Sequence, residues 1–310
     1  MPIILKPILL VAVATLAVSV AVAQFRSGGG RGYRGDDSGS LVRTEQGGII
    51  VDENTVRTAR ETASHSTGTP NWTNAVDFEQ DVFTFTRIIF KSRGMRGGGG
   101  GVGAWGWLND YPDSDLNLSY RLQQLTSMKV DPDARVLKLT DPALADYPFI
   151  YMVKPGNLEF RDEEVVVLRK YLLNGGVLVA DDFWGDDLWN NFAAQMKRIL
   201  PERTWSELPM EHPLFHSVFD LRVAKRDLQV PSIRRFNRST GEFRLDSETE
   251  EMHVRAWHDD RKRIMIVAFH NSDNGDGWER EGENDLYFHT FSEKRAYPLA
   301  INLIFYLMTH

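Results

Sequence analysis

The 310-residue sequence contains no cysteine. That excludes a disulfide framework, a thiolate metal site, a cysteine nucleophile and a lipid-bearing cysteine, and it leaves the redox compartment open. A basic excess is also missing. Lys and Arg number 36 against 43 Asp and Glu, a formal net charge of −7, so there is no broad basic face to neutralise nucleic-acid phosphates. The eight histidines form no HExxH pattern. His212 and His216 stand four apart, but Pro213 between them argues for a turn rather than a zinc-binding helix face. No internal repeat is visible.

What is there divides the chain in three. Residues 1–23 carry one lysine, Lys6, followed by an uncharged apolar run that ends in Ala21-Val22-Ala23 before Gln24. This pattern fits a cleaved signal peptide, and its length approaches that of an N-terminal membrane anchor. Either way the remainder is expected to be exported, periplasmic or held facing the periplasm, with residues 7–23 as the tether if uncleaved. Residues 24–75 begin with QFRSGGGRGYRGDDSGS and read as a Gly/Arg/Ser-rich flexible linker. The folded domain is expected over 76–310, interrupted by a mobile loop at Gly97–Gly101.

Within 76–310, strand patterns alternate with helix patterns. VFTFTRIIF (82–90), ARVLKLT (134–140), FIYMV (149–153) and VLVA (177–180) read as strands. HVRAWHD (253–259) and RIMIVAFH (263–270) read as a pair. Helices are predicted over 114–126, capped by Ser114 or Asp115, and over 161–176, with acids in the first turn and glycines at the end. Others are predicted over 188–200, capped by Asp186 or Asp187, and over 296–310. Such alternation implies an α/β three-layer sandwich with a mostly parallel sheet, whose ligands bind beyond the carboxyl ends of the strands.

The stretches WGWLNDYPDSDLNLSYRLQQLT, LTDPALADYPFIYM, DEEVVVLRKYLLNGGVLVADDFWGD, MKRILP, LPMEHPLFHSVFDL, GDGWE and AYPLAINLIFYLMTH resemble, in order, an uncharacterised bacterial family, domain of unknown function 4159. That family resembles the class I glutamine amidotransferase-like fold, a flavodoxin-like sandwich. EHPLF (211–215) is also similar to a stretch of trehalose-utilisation-type proteins of that fold. The resemblance implies a nucleophile on a sharp turn after a strand. The matching turn is Lys154-Pro155-Gly156-Asn157, which offers no thiol or hydroxyl, so the sequence departs from the catalytic pattern.

The expected carboxyl edge collects Lys91, Arg93, Lys154 to Asn157, Asp181 to Trp184 and His270 to Asp276. Asp181 and Asp182 are candidates for binding or catalysis; if the strand continues that far, alternation lets only one of them face a cleft. His270 is the candidate proton donor beside them. Asp110 and Tyr111 lie in the aromatic and acidic WGWLNDYPDSDLN, where a ligand wall is one reading and a loop packed over a helix start the other. Asn157, Trp184 and Asn271 complete the ligand-binding candidates. SDNGDGWEREGE (272–283) imperfectly fits a calcium-loop pattern; Asp273, Asp276 and Glu279 are its oxygen ligands if it holds a metal, and a solvated turn is the alternative. No cofactor is expected. The expected function is a non-catalytic exported domain binding a small molecule, a glycan or an envelope protein. A hydrolase acting on carbohydrate or amide through Asp and His, and an envelope scaffold, are the alternatives.

Overall fold

The computed structural model describes residues 41–43, 50–66, 68–75, 81–92 and 106–310. The apolar segment 1–23, the glycine-rich stretch 24–40, Arg93, Gly97–Gly101 and Trp105 lie outside them. Strands β1 (Leu41–Arg43) and β2 (Ile50–Asp52) form a small antiparallel pair. The main sheet has seven strands: β3 (Thr86–Ile89), β4 (Arg135–Lys138), β5 (Phe149–Val153), β6 (Val177–Phe183), β7 (Trp205–Glu207), β8 (His253–His258) and β9 (Ile264–His270). Their order is β4-β3-β5-β6-β9-β8-β7; the first five run parallel, and β8 and β7 close one edge antiparallel. β5, β6 and β9 are buried along their whole length, as befits parallel strands covered on both faces.

The helices are α1 (Asp113–Leu125), α2 (Asp162–Leu173), α3 (Asp186–Ile199), α4 (Lys225–Leu228), α5 (Asn274–Glu279), α6 (Asp285–Tyr287) and α7 (Tyr297–Thr309), the last entered through a π-helical stretch, Phe288–Ala296. They flank the sheet in two groups: α2 packs with α3, and α1 packs with α5 and α7. The chain is thus an α/β domain with a mostly parallel sheet. Among the described residues, no helix is long and apolar enough to cross a membrane.

Two helix starts differ from the sequence reading. α1 begins at Asp113 behind Pro112, and its first-turn side chains are buried, Asp115 and Ser114 serving Arg87 and Asp113 serving the upstream segment. α3 is entered from Gly185 in a left-handed conformation (φ 79°), with no side-chain cap; Asp186 and Asp187 are exposed acids of the first turn, where they favour the helix dipole. The described part of the expected linker also differs. Val51, Val56 and Ala59 are buried in the core, Val136 N–H donates to Arg57 O (2.9 Å), and Arg60 donates to the carbonyls of Pro132, Thr69 and Pro70. Apolar burial and these carbonyl contacts dock residues 50–66 on the domain.

One polar residue organises the sheet edge. Arg87, in the middle of β3 and opposite Tyr151 of β5, is completely buried. Its Nε donates to both oxygens of Asp115 (3.1 and 2.8 Å). Its Nη1 donates to the carbonyls of Trp107 (2.7 Å) and Asn109 (2.9 Å), and its Nη2 to Ser114 Oγ (2.8 Å) and Asp115 Oδ1 (2.5 Å). Every N–H of the guanidinium is used, and the 107–115 segment is fixed beneath it. Arg87→Ala should therefore cost about 3–5 kcal/mol in urea unfolding by leaving Asp115 buried and unpaired, and Arg87→Lys should also destabilise because a point charge cannot reproduce the fork. Arg222→Ala, which breaks an exposed pair with Asp220, should leave the midpoint unmoved.

Candidate functional site

Six carboxylates and two cations meet beyond the carboxyl ends of the parallel strands. Asp110 comes from the segment after β3, Lys154 follows β5, Asp181 and Asp182 end β6, and Asp273, Asp276, Glu279 and Arg280 follow β9. In order along the sheet, the five parallel strands rank 2-1-3-4-5 in sequence, so the order reverses between β3 and β5. Open α/β sheets bind ligands at such a reversal.

The backbone is bent to bring these side chains together. Asp110 (φ 60°), Lys154 (φ 52°), Asp182 (φ 56°) and Asn271 (φ 61°) are all left-handed, a conformation that costs a non-glycine residue about 1–3 kcal/mol. At Asp182 this coincides with a register shift against β9 between Ala180 and Phe183. The bulge breaks the strand's alternation, so Asp181 and Asp182 both join the cluster. The expectation that only one of them could do so is corrected on this ground.

Each carboxylate has its own partners. Asp181 accepts from Tyr151 Oη (3.0 Å), Asn274 Nδ2 (2.9 Å) and Gly275 N (3.0 Å). Asp182 accepts from Asn109 Nδ2 (2.9 Å) and Trp184 Nε1 (2.8 Å) and lies 3.4 Å from Lys154 Nζ. Asp273 Oδ1 caps α5 by accepting from Asp276 N (2.9 Å). Asp276 accepts from Ile233 N (2.7 Å), Ser232 Oγ (3.0 Å) and Arg280 Nε (3.2 Å). Glu279 lies 2.7 Å from Arg280 Nη2 and 3.1 Å from His65 Nε2. Asp110 Oδ1 accepts from Asn109 Nδ2 (2.7 Å), and its Oδ2 lies where a β-carbon on residue 275 would come within 2.2 Å, a close approach that only Gly275 permits.

Burial dominates the electrostatics. It pushes Asp181 up to about 7, with the neighbouring Asp182 adding to it and its three donors opposing. Asp110, Asp273 and Glu279 are raised well above the usual carboxylate range by burial and then by one another and their acidic neighbours; Asp182 is raised by burial against the pull of Lys154. In Asp276 burial is outweighed by Arg280 and by the hydrogen bonds from Ile233 and the Asp273 pair, which hold it low. Burial would lower the Lys154 amine, but Asp182 and Asp110 outweigh it and keep it a firm ammonium.

The other sequence candidates stand differently. Tyr111 is completely buried, its hydroxyl engaged with Thr58 O (3.1 Å) and Thr62 Oγ1 (3.2 Å), so it supports the loop instead of lining a ligand. Asn271 is buried and spent on backbone: it accepts from Gly185 N and donates to the carbonyls of Glu248 and Glu251. Trp184 is partly exposed, with Arg235 stacked 4.9 Å over its ring. Asn157 ends a 3-10 turn at 155–157, half-buried. His270 is tied up elsewhere: Nε2 donates to Gly185 O (3.0 Å), Nδ1 faces Arg255 Nη1 (3.3 Å), and burial lowers the ring to about 4. It is a neutral ring with both nitrogens engaged. SDNGDGWE forms the short helix α5 rather than a turn, because Asp273 caps it and Trp278 packs against Phe85 and Tyr151.

Asn109, Arg280, His65 and Arg87 escaped the sequence reading. The legible signal was Arg87, a lone charge inside the apolar β-branched TRIIF.

The sheet and this edge define an α/β domain with a buried acidic centre at its strand-order reversal. The model of one protein family, described as Domain of unknown function (DUF4159), matches residues 101–308, and the chain belongs to that family. Comparison with curated proteins finds no match.

The raised carboxyls carry a pH prediction. An acid whose folded value exceeds its unfolded value binds more protons in the folded state, so its contribution is complete below about pH 4 and is lost as pH rises through the folded value. For Asp181 that window runs up to about 7. In chelator-treated protein the thermal midpoint should fall between about pH 5 and pH 8, and Asp181→Asn should reduce the slope. A midpoint that rises over this range would contradict the assignment.

Proposed function

We propose that this chain is a non-catalytic binding domain of the amidotransferase-like, flavodoxin-like type, exported by its N-terminal apolar segment. It holds a small oxygen-rich molecule at the carboxyl edge of its sheet. The observation that carries this reading is Lys154. It occupies the left-handed position (φ 52°) of the sharp turn after β5, where the resemblance calls for a nucleophile. Its amine is donated to Asn109 Oδ1 (2.7 Å) and paired with Asp182, and a firm ammonium has no lone pair for covalent attack. The side chain is 34 % exposed, so it reaches the surface as a hydrogen-bond donor while the carboxylates behind it stay buried. The strand order 2-1-3-4-5 supports the fold assignment, since that order is the flavodoxin-like one. An acid-base hydrolase is less well supported, because both ring nitrogens of His270 are engaged away from the acids.

The test is a thermal-shift and calorimetric screen of the full chain against sugars and organic acids. A true ligand should stabilise by about 2.7 kcal/mol at a hundredfold excess over Kd. Lys154→Met should weaken that ligand by roughly tenfold, the loss of one charge-assisted hydrogen bond. Glycoside or amide turnover that disappears in Asp182→Asn would replace binding by catalysis.

A further inference from the structure

The carboxylates at this edge fall into two sets by their compensation. Asp276 and Glu279 share Arg280, and both oxygens of Asp276 accept hydrogen bonds, Oδ2 from Ser232 and Ile233 and Oδ1 from Arg280. Asp110, Asp181, Asp182 and Asp273 have, among the described residues, one ion-pair partner between them, Lys154. Four carboxylates against one ammonium leave a buried group that is strongly negative when ionised. Three of these four are close-set: one oxygen each of Asp110, Asp182 and Asp273 lie within 4.8 Å of one another.

A second observation points to what completes the group. Among the described residues, Asp110 Oδ2 and Asp273 Oδ2 receive no hydrogen bond, although the two residues are only 2 % and 0 % exposed. The amide oxygen of Asn274 is also buried, with no donor among the described residues; its Nδ2 bond to Asp181 fixes which way the amide points. Buried acceptors are ordinarily satisfied, and the open oxygens on Asp110 and Asp273, two members of the close-set group, call for an electrophile. All the donors on offer are oxygens, and the sequence has no cysteine, which is the ligand chemistry of a hard cation.

We propose that Asp110, Asp182 and Asp273 bind one hard divalent cation of the Mg2+, Ca2+ or Mn2+ class. The cation supplies the charge that Lys154 leaves uncompensated and ties the segments after β3, β6 and β9 together. Lys154, partly exposed and 3.4 Å from Asp182, marks the solvent side of the site. The site lies behind the proposed ligand position but does not rest on that ligand being bound.

The experiment is titration of the chelator-treated full chain with MnCl2, read by Mn2+ electron paramagnetic resonance and by thermal midpoint, with MgCl2 and CaCl2 as competitors and no organic ligand present. One saturable Mn2+ per chain is expected, binding more tightly as pH rises from about 5 to 8 because protons compete for the same carboxylates. Asp273→Asn keeps an oxygen to cap α5 yet removes a charge, and it should weaken Mn2+ by roughly a hundredfold; Asp182→Asn should do likewise. Asp186→Asn, on the exposed start of α3, should bind as the unaltered chain does. Lys154→Met removes the competing ammonium and should tighten Mn2+, the opposite of its effect on a small ligand. Absence of saturable binding by all three metals in the unaltered chain overturns the proposal. So does unchanged affinity in the folded Asp182→Asn and Asp273→Asn variants, or Mn2+ affinity that falls in Lys154→Met.

Discussion

A guanidinium buried within a parallel strand, one in from the sheet's edge, is the constraint from which the functional edge follows. Desolvating Arg87 is expensive, so its environment must return a carboxylate and a full set of acceptors. Asp115 supplies the charge, and the carbonyls of Trp107 and Asn109 complete the set. Residues 106–112, just ahead of α1, are thereby held against the sheet. Asn109 and Asp110 arrive at the strand ends as a result: Asn109 links Asp110, Asp182 and Lys154 by three hydrogen bonds. Arg87 also lies 5.3 Å from the ring of Tyr151, whose hydroxyl donates to Asp181. One residue therefore positions both halves of the acid cluster without belonging to it.

The cost of the edge lies in backbone strain and in charge. Three of the six left-handed non-glycine residues among the described ones, Lys154, Asp182 and Asn271, stand at or just beyond the carboxyl ends of the parallel strands, and a fourth, Asp110, belongs to the cluster they frame. Each bends the chain so that a polar group turns toward its neighbours. Such strain persists only where surrounding packing over-determines it, and here β5, β6 and β9 are buried throughout. The concentrated carboxylates add a second cost, because each burial penalty is increased by the next acid. A fold that accumulates both in one place, with few internal cations, gains its compensation from protons or from a bound cation.

The architecture was legible because it rests on periodicity. Continuous apolar runs marked β5, β6 and β9, and the acid start and glycine end marked α2, each within a few residues. Local chemistry was less legible wherever tertiary contacts reassigned a side chain. Asp115 and Ser114 have the composition of helix caps but are recruited by Arg87, and Asp186 and Asp187 lose the capping role to the left-handed Gly185. Asp181 and Asp182 were recognised, and the pleat rule that would have separated them failed at a bulge no sequence pattern announces. Tyr111 has the makings of a ligand wall and proved to be core. Asp273, Asp276 and Glu279 were identified as a group from their loop spacing, but their meeting with Asp110 depends on a contact across more than 160 residues, which spacing within one loop cannot reveal.

The central claim is that the oxygens of Asp110, Asp182 and Asp273 converge on a cation, and crystallography with anomalous scattering addresses it most directly. Crystals of the full chain grown with Mn2+ near pH 8 should give one strong anomalous peak inside the domain, in contact with all three carboxylates and between the ends of β6 and β9. A well-ordered structure with no peak there, and with Asp110 and Asp273 satisfied by hydrogen bonds alone, would contradict it.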